Sequence, residues 1–155
     1  MHNLIEKVGL HGKMLFVLRD KDSGQEKQCY EINNVICDRG KAVIAARLNS
    51  ESTYSGMINY LAVGTGTSTP LSTDTQLQTE LARTTVSTSS RSNNIATINF
   101  FFGSSSANGT LTEAGGFIDG TALANSGQIF DRVSLPSIVK TSADTLTVTL
   151  IATVS

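Results

Sequence analysis

SADTLTVTLIATVS, residues 142–155, alternates more cleanly than any other stretch of the chain. Leu146, Val148, Leu150, Ala152 and Val154 fall on one side of an extended backbone, and Thr145, Thr147, Thr149 and Thr153 on the other. Period two with one apolar face marks a strand that lies against a core. Burying its large apolar side chains contributes about 1.5–3 kcal/mol each. The segment therefore predicts a strand integral to the core, and the rest of the chain is read outward from it.

Toward the N-terminus, Gln128–Leu135 (QIFDRVSL) predicts a strand with Ile129, Val133 and Leu135 on one face, ended or bent by Pro136. Thr110–Phe117 (TLTEAGGF) predicts a strand whose paired glycines mark a bulge or a close backbone approach. Arg83–Arg91 and Ile95–Phe102 read as an antiparallel hairpin turning at Ser92-Asn93-Asn94. Ala96, Ile98, Phe100 and Phe102 share one face of it, with Phe101 on the other beside Thr97 and Asn99. The Phe101 ring is thus expected either between two sheets or against a neighbouring subunit.

Met57–Leu81 (MINYLAVGTGTSTPLSTDTQLQTEL) opens as a strand with Met57, Asn59, Leu61 and Val63 on one face and Ile58, Tyr60 and Ala62 on the other. With one strongly polar residue among the seven, both faces are expected to be covered. The strand breaks at Gly64-Thr-Gly66 and crosses a loop ending at Pro70; Asp74 is expected to cap a short helical turn over Gln76–Leu81. Earlier still, His11–Asp20 and Lys27–Asn33 predict a hairpin around Asp20–Gly24. Residues 37–49 switch to helical spacing through Ala42, Val43, Ala46 and Ile44 or Leu48. Asp38 is the expected cap and Asn49 the end. The fold class expected is mainly β, a jelly-roll-like antiparallel sandwich with one helix near residues 39–48. Residues 1–155 form a single domain in this reading, with 1–12 a peripheral or partner-binding arm.

The 155 residues suffice for a substantial core. Only 16% are charged, fewer than the roughly 25% of ordinary soluble domains. Ser, Thr, Asn and Gly replace the missing charge. A net charge of −1 gives no electrostatic case for nucleic acid or anionic membrane. Weak repulsion between copies is compatible with packing against identical neighbours. No apolar run reaches the roughly 20 residues of a membrane span, and Glu6 and Lys7 stand where a signal peptide needs an apolar core. Cys29 and Cys37 match neither a zinc spacing nor a disulfide framework and read as free thiols, at least one of them buried.

Chemistry is sparse. Gly64-Thr-Gly66 lacks the third glycine and the long helix of a dinucleotide loop, and a tight turn explains it better. His2 and His11 lack neighbours at metal or triad spacing. Glu113, Asp119 and Asp131 could in principle supply a carboxylate pair, as some acids in almost any chain with 13 of them could. Arg83, Arg91 and Arg132 could line a groove, but without the interleaved aromatics of a nucleic-acid platform. No catalytic residue, cofactor site, metal site or small-molecule substrate is expected.

Two blocks carry a resemblance when read together. Tyr60-Leu-Ala-Val-Gly-Thr-Gly-Thr-Ser-Thr-Pro70 is followed by Thr73-Asp-Thr-Gln-Leu77 and Glu80-Leu-Ala-Arg83. Ala107-Asn-Gly-Thr-Leu-Thr-Glu113-Ala-Gly-Gly-Phe117 comes later, then Phe130-Asp-Arg132 and Lys140–Val148. In this order the blocks resemble bacteriophage tail-collar fibre and related small virion proteins, over residues 57–155. Gly116 stands where those proteins usually have Leu, and the first 50 residues match the pattern poorly.

The resemblance implies a non-enzymatic structural role in a virion assembled in the host cytoplasm, with copies of itself and other virion proteins as partners. Collar or fibre, baseplate or neck, and capsid decoration are all compatible with it. Arg83, Glu113, Phe117 and Arg132 carry over as fold or interface residues, to which Phe101 is added from the strand reading. Glu113 is expected to pair with Arg83 or Arg132. Loops 64–75, 103–109 and 118–127 are expected to reach partners. A carbohydrate-binding module is the alternative from another class, although Trp is absent and Tyr30, Tyr54 and Tyr60 are scattered. A hydrolase lacks the residues it needs.

Overall fold

The computed structural model describes residues 7–155. In chain order the elements are β1 (Leu10–Asp20), β2 (Glu26–Asn33), β3 (Val35–Ile36), α1 (Asp38–Leu48), β4 (Ile58–Gly64), β5 (Glu80–Ser92), β6 (Ile95–Phe102), β7 (Gly109–Ile118), β8 (Gln128–Lys140) and β9 (Asp144–Val154). Every pairing is antiparallel, in the order β2-β1-β9-β6-β5-β4-β7-β8-β3. The fold is mainly β, as the alternation predicted.

β9 sits between β1 and β6, and its apolar residues form rows across the sheet. Leu146 lies beside Leu18 and Phe102, Val148 beside Phe16 and Phe100, and Leu150 beside Met14 and Ile98. These nine side chains are buried in one cluster together with Leu61, Val63, Leu111, Ala114, Val133 and Ile138 from the opposing layer. β5 joins the layers. Glu80–Thr85 pairs with β4, whereas Val86–Ser92 pairs with β6. Asn34 joins β2 to β3, the two ends of the strand order, and its side-chain amide donates to Asp131 on β8, so the curled sheet nearly closes on itself.

A second, smaller cluster lies outside the main core: Cys37, Ala62, Leu77, Phe117 and Ile129, with Tyr60 against it. Both faces of β4 are therefore covered, as its composition predicted, although the face assignment shifts. A register irregularity between Ile58 and Tyr60 turns Ile58 into the main core with Leu61 and Val63, and Met57 is exposed. The same effect operates in β8. The register slips opposite Gly116 and Phe117, and Ile129 faces the second cluster while Val133 and Leu135 face the main core. Pro136 bends β8 without ending it; the strand runs on to Lys140, with Ser137 at φ +52°.

Four local expectations are corrected. No helical turn forms over Gln76–Leu81: the segment is irregular up to Thr79, and Glu80 starts β5. The N–H groups of Gln78 and Thr79 donate to the Glu113 carboxylate, a long-range partner that holds the backbone out of a helix. Asp38 is the first residue of α1 rather than its cap; Cys37 is the cap, without a side-chain hydrogen bond, and Asp38 pairs with Lys41. The buried stripe of α1 narrows to Gly40 and Val43, leaving Leu48 exposed. Of the expected N-terminal arm, Leu10–Gly12 belongs to β1 and pairs with Ala152–Val154. His11 is an exposed residue in that strand, whereas His2 lies outside the described residues.

Candidate assembly site

Residues 65–79 lie over the outer face of β4, β7 and β8, where Leu77 enters the second cluster. The segment is held from beneath by two strand residues. Glu113 on β7 is 1% exposed and accepts the backbone N–H groups of Gly66 at 3.0 Å, Gln78 at 2.9 Å and Thr79 at 2.7 Å. Arg132 on β8 meets the same carboxylate through Nε at 3.1 Å and Nη2 at 2.7 Å. Its Nη1 reaches Asp74 at 2.7 Å, and Nη2 also reaches the Ser68 hydroxyl at 2.8 Å. Burial opposes the charge on Arg132, but hydrogen bonds to Asp74 and Glu113 outweigh it and hold the guanidinium above its ordinary pKa. Gln78 Oε1 accepts the N–H groups of Thr67 and Ser68, both at 2.8 Å. Glycine is required at position 66, where a Cβ would collide with the Glu113 carboxylate.

A second ionic cluster fixes residues 119–127. Arg83 on β5 forms a two-pronged pair with Glu80, 2.6 and 2.9 Å, with both side chains under 5% exposed. The guanidinium lies 4.7 Å from the centre of the Phe117 ring and 5.6 Å from that of Tyr60. Its Nη1 donates to the carbonyls of Thr121 and Ser126, and Glu80 accepts the Asn125 N–H. Asn59 exchanges two hydrogen bonds with the Gly120 backbone. The third loop is held by Lys140, 1% exposed, whose Nζ donates to the Gly103 carbonyl at 2.8 Å and to Asn108 Oδ1 at 2.9 Å. Burial pulls the pKa of that ammonium down.

Four of the five residues singled out in the sequence thus meet on one side of the molecule. Glu113 pairs with Arg132 and not with Arg83, and Phe117 lies beneath Arg83. All four are buried within the chain or nearly so and act on its fold. Phe101 is elsewhere, on the outer face of β6 beside Thr147, and is 49% exposed. Arg91 lines a groove with Ser89 and Ser90, whereas Arg83 and Arg132 are bound to the 119–127 and 65–79 segments. Asp74 and Glu80 were missed as ion partners. The Glu80–Arg83 spacing, opposite charges three residues apart, was the available signal.

Comparison with protein-family models, curated proteins and solved structures finds no match.

Glu113, Asp119 and Asp131 are each engaged by other partners. Glu113 is neutralised by Arg132, and Asp119 is bound to Ser55. Asp131 is wholly buried, accepting the Gly116 N–H at 2.8 Å and the Asn34 amide; burial pushes its pKa up to about 7, against the opposing effect of the Gly116 bond. Burial, with Asp131 and Asp74 adding to it, pushes the Cys37 thiol up to about 12, which removes it as a nucleophile. Cys29 is exposed. Among the described residues no group of His, Cys, Asp and Glu has the geometry to hold a metal ion. What the buried ions accomplish is mechanical: they fix loops that carry exposed leucines, Leu71 at 57% and Leu123 at 75%.

Proposed function

We propose that the chain is a non-enzymatic structural component of a bacteriophage particle that works by packing against copies of itself and other virion proteins. One observation carries the reading. Each of the three loops expected to reach partners is tied to the sheet by a buried charge: Glu113 with Arg132, Arg83 with Glu80, and Lys140. Connections of this length are ordinarily the mobile part of a β protein. Holding them rigid while Leu71 and Leu123 face water prepares a surface for docking at little further ordering cost. The resemblance over residues 57–155 supplies the virion context, and the residues that carry it are those that hold the loops.

A protein inventory of purified particles by mass spectrometry, together with sedimentation of the isolated chain over a concentration series, tests the proposal. The expected result is presence in the particle and concentration-dependent association, weakened by Leu71→Asp and Leu123→Asp. Absence from particles and a monomer at every concentration would overturn it. The sugar-binding alternative gains little: among the described residues Phe101 is the exposed phenylalanine, and Tyr30, Tyr54 and Tyr60 are half-buried. Imaging of intact particles separates the collar, baseplate and capsid positions.

A further inference from the structure

β5 outruns its neighbour. Its pairing with β4 starts at Gly64 opposite Glu80 and stops at Tyr60 opposite Thr85. Beyond that point β5 continues to Ser92 with β6 alone. Among the described residues no strand pairs with the other edge of residues 87–92, and all six are exposed. An edge of this kind presents a row of unpaired N–H and C=O groups. The usual guards are thin here: Ser87-Thr-Ser-Ser-Arg-Ser92 contains no proline and one charge.

Beside that edge runs a groove of about 590 Å³. Ile58, Ile98 and Phe130 belong both to its lining and to the main core, while Met57 and Ile95 line it and are 57% and 39% exposed. Arg91 is the one charged residue among the described residues that line it. An apolar trough and an unused strand edge lie together where β4 and β5 part.

We propose that this corner accepts an extended segment of another protein chain, which adds to the β5 edge and places alternate apolar side chains in the groove. Adding a strand supplies partners for the edge amides, and the period-two side chains of the incoming segment match a groove running alongside. Two copies of β5 joined edge to edge would offer the groove only Ser, Thr and Arg, so the occupant is a different segment. A carboxylate near one end of it would meet Arg91. This deepens the assembly reading and rests on it for the biological setting, although the binding itself is measurable apart from any particle.

The test uses the full chain and a fluorescein-labelled peptide, Thr-Val-Thr-Val-Thr-Val-Glu, followed by fluorescence anisotropy. The expected result is saturable binding, weakened about tenfold or more when alternate peptide nitrogens are methylated, since side chains are kept and backbone donors lost. Met57→Asp, an exposed change that leaves the core intact, should weaken it to a similar degree. Hydrogen exchange should show residues 87–92 protected on binding. Absence of saturable binding, equal binding of the methylated peptide, or unchanged exchange at 87–92 would each overturn the proposal. None of these outcomes bears on whether the chain is present in particles.

Discussion

Glu113 and Arg132 face one another from adjacent strands, 2.7 Å apart and both nearly inaccessible to water, and the whole 65–79 segment is tied to that pair. Removing one partner strands a buried charge, which costs about 3–5 kcal/mol. Glu113→Gln should therefore lower the thermal midpoint sharply and open residues 65–79 to limited proteolysis. An unchanged midpoint would mean that Asp74 alone satisfies Arg132.

Arg83→Lys retains the charge but loses the fork that grips Glu80 and the flat cation over Phe117. A loss of about 2 kcal/mol is expected. Hydrogen exchange should quicken over residues 119–127 and stay unchanged over 65–79, because the two ionic clusters hold different loops.

Asp131 makes stability depend on pH in an unusual direction. Its folded pKa of about 7 lies above the ordinary 3.8, so the folded chain holds a proton that the unfolded chain releases. The contribution is complete below pH 3.8 and is lost as pH rises through about 7. It amounts to about 4 kcal/mol across that window. Asp144, held down at about 2 chiefly by its hydrogen bond from Lys27, acts oppositely but only in stronger acid. Urea unfolding between pH 4.5 and 7.5 should show stability falling with pH, and Asp131→Asn should flatten the slope.

At position 116, where the expected family pattern has leucine, the packing gives a reason for glycine. A Cβ there would lie 2.8 Å from Leu150 Cδ1 and 2.9 Å from Asp131 Oδ1. Gly116→Leu should cost about 3 kcal/mol or more, read as a fall in the urea midpoint. Pairing it with Asp131→Ala should recover part of the loss.

Strands whose alternation was set by core packing, β9 and β6 above all, were legible in the sequence because side-chain period alone determines their buried face. The failures share a cause. Register slips at Ile58–Tyr60 and at Gly116–Phe117 exchange faces partway along a strand; the paired glycines did mark the second as a bulge or close approach, but the alternation of β4 and β8 carries no sign of the change of face. Asp74 and Gln76–Leu81 carried a sound local helix signal that was overruled by Glu113, more than thirty residues away along the chain. Of the site, the residues could be named, and one of the two partners suggested for Glu113 was met. The division into two clusters follows from which strands are neighbours, which no single block of sequence specifies.

The position of β9 between β1 and β6 governs the order in which the molecule can be completed during synthesis. Its partners β1 and β6 lie far upstream, and until residues 144–154 leave the ribosome each has an edge of unpaired N–H and C=O groups with nothing to join. This layer is therefore completed only once residues 144–154 have been made, and a chain cut short before them would have two open edges and a marked tendency to aggregate.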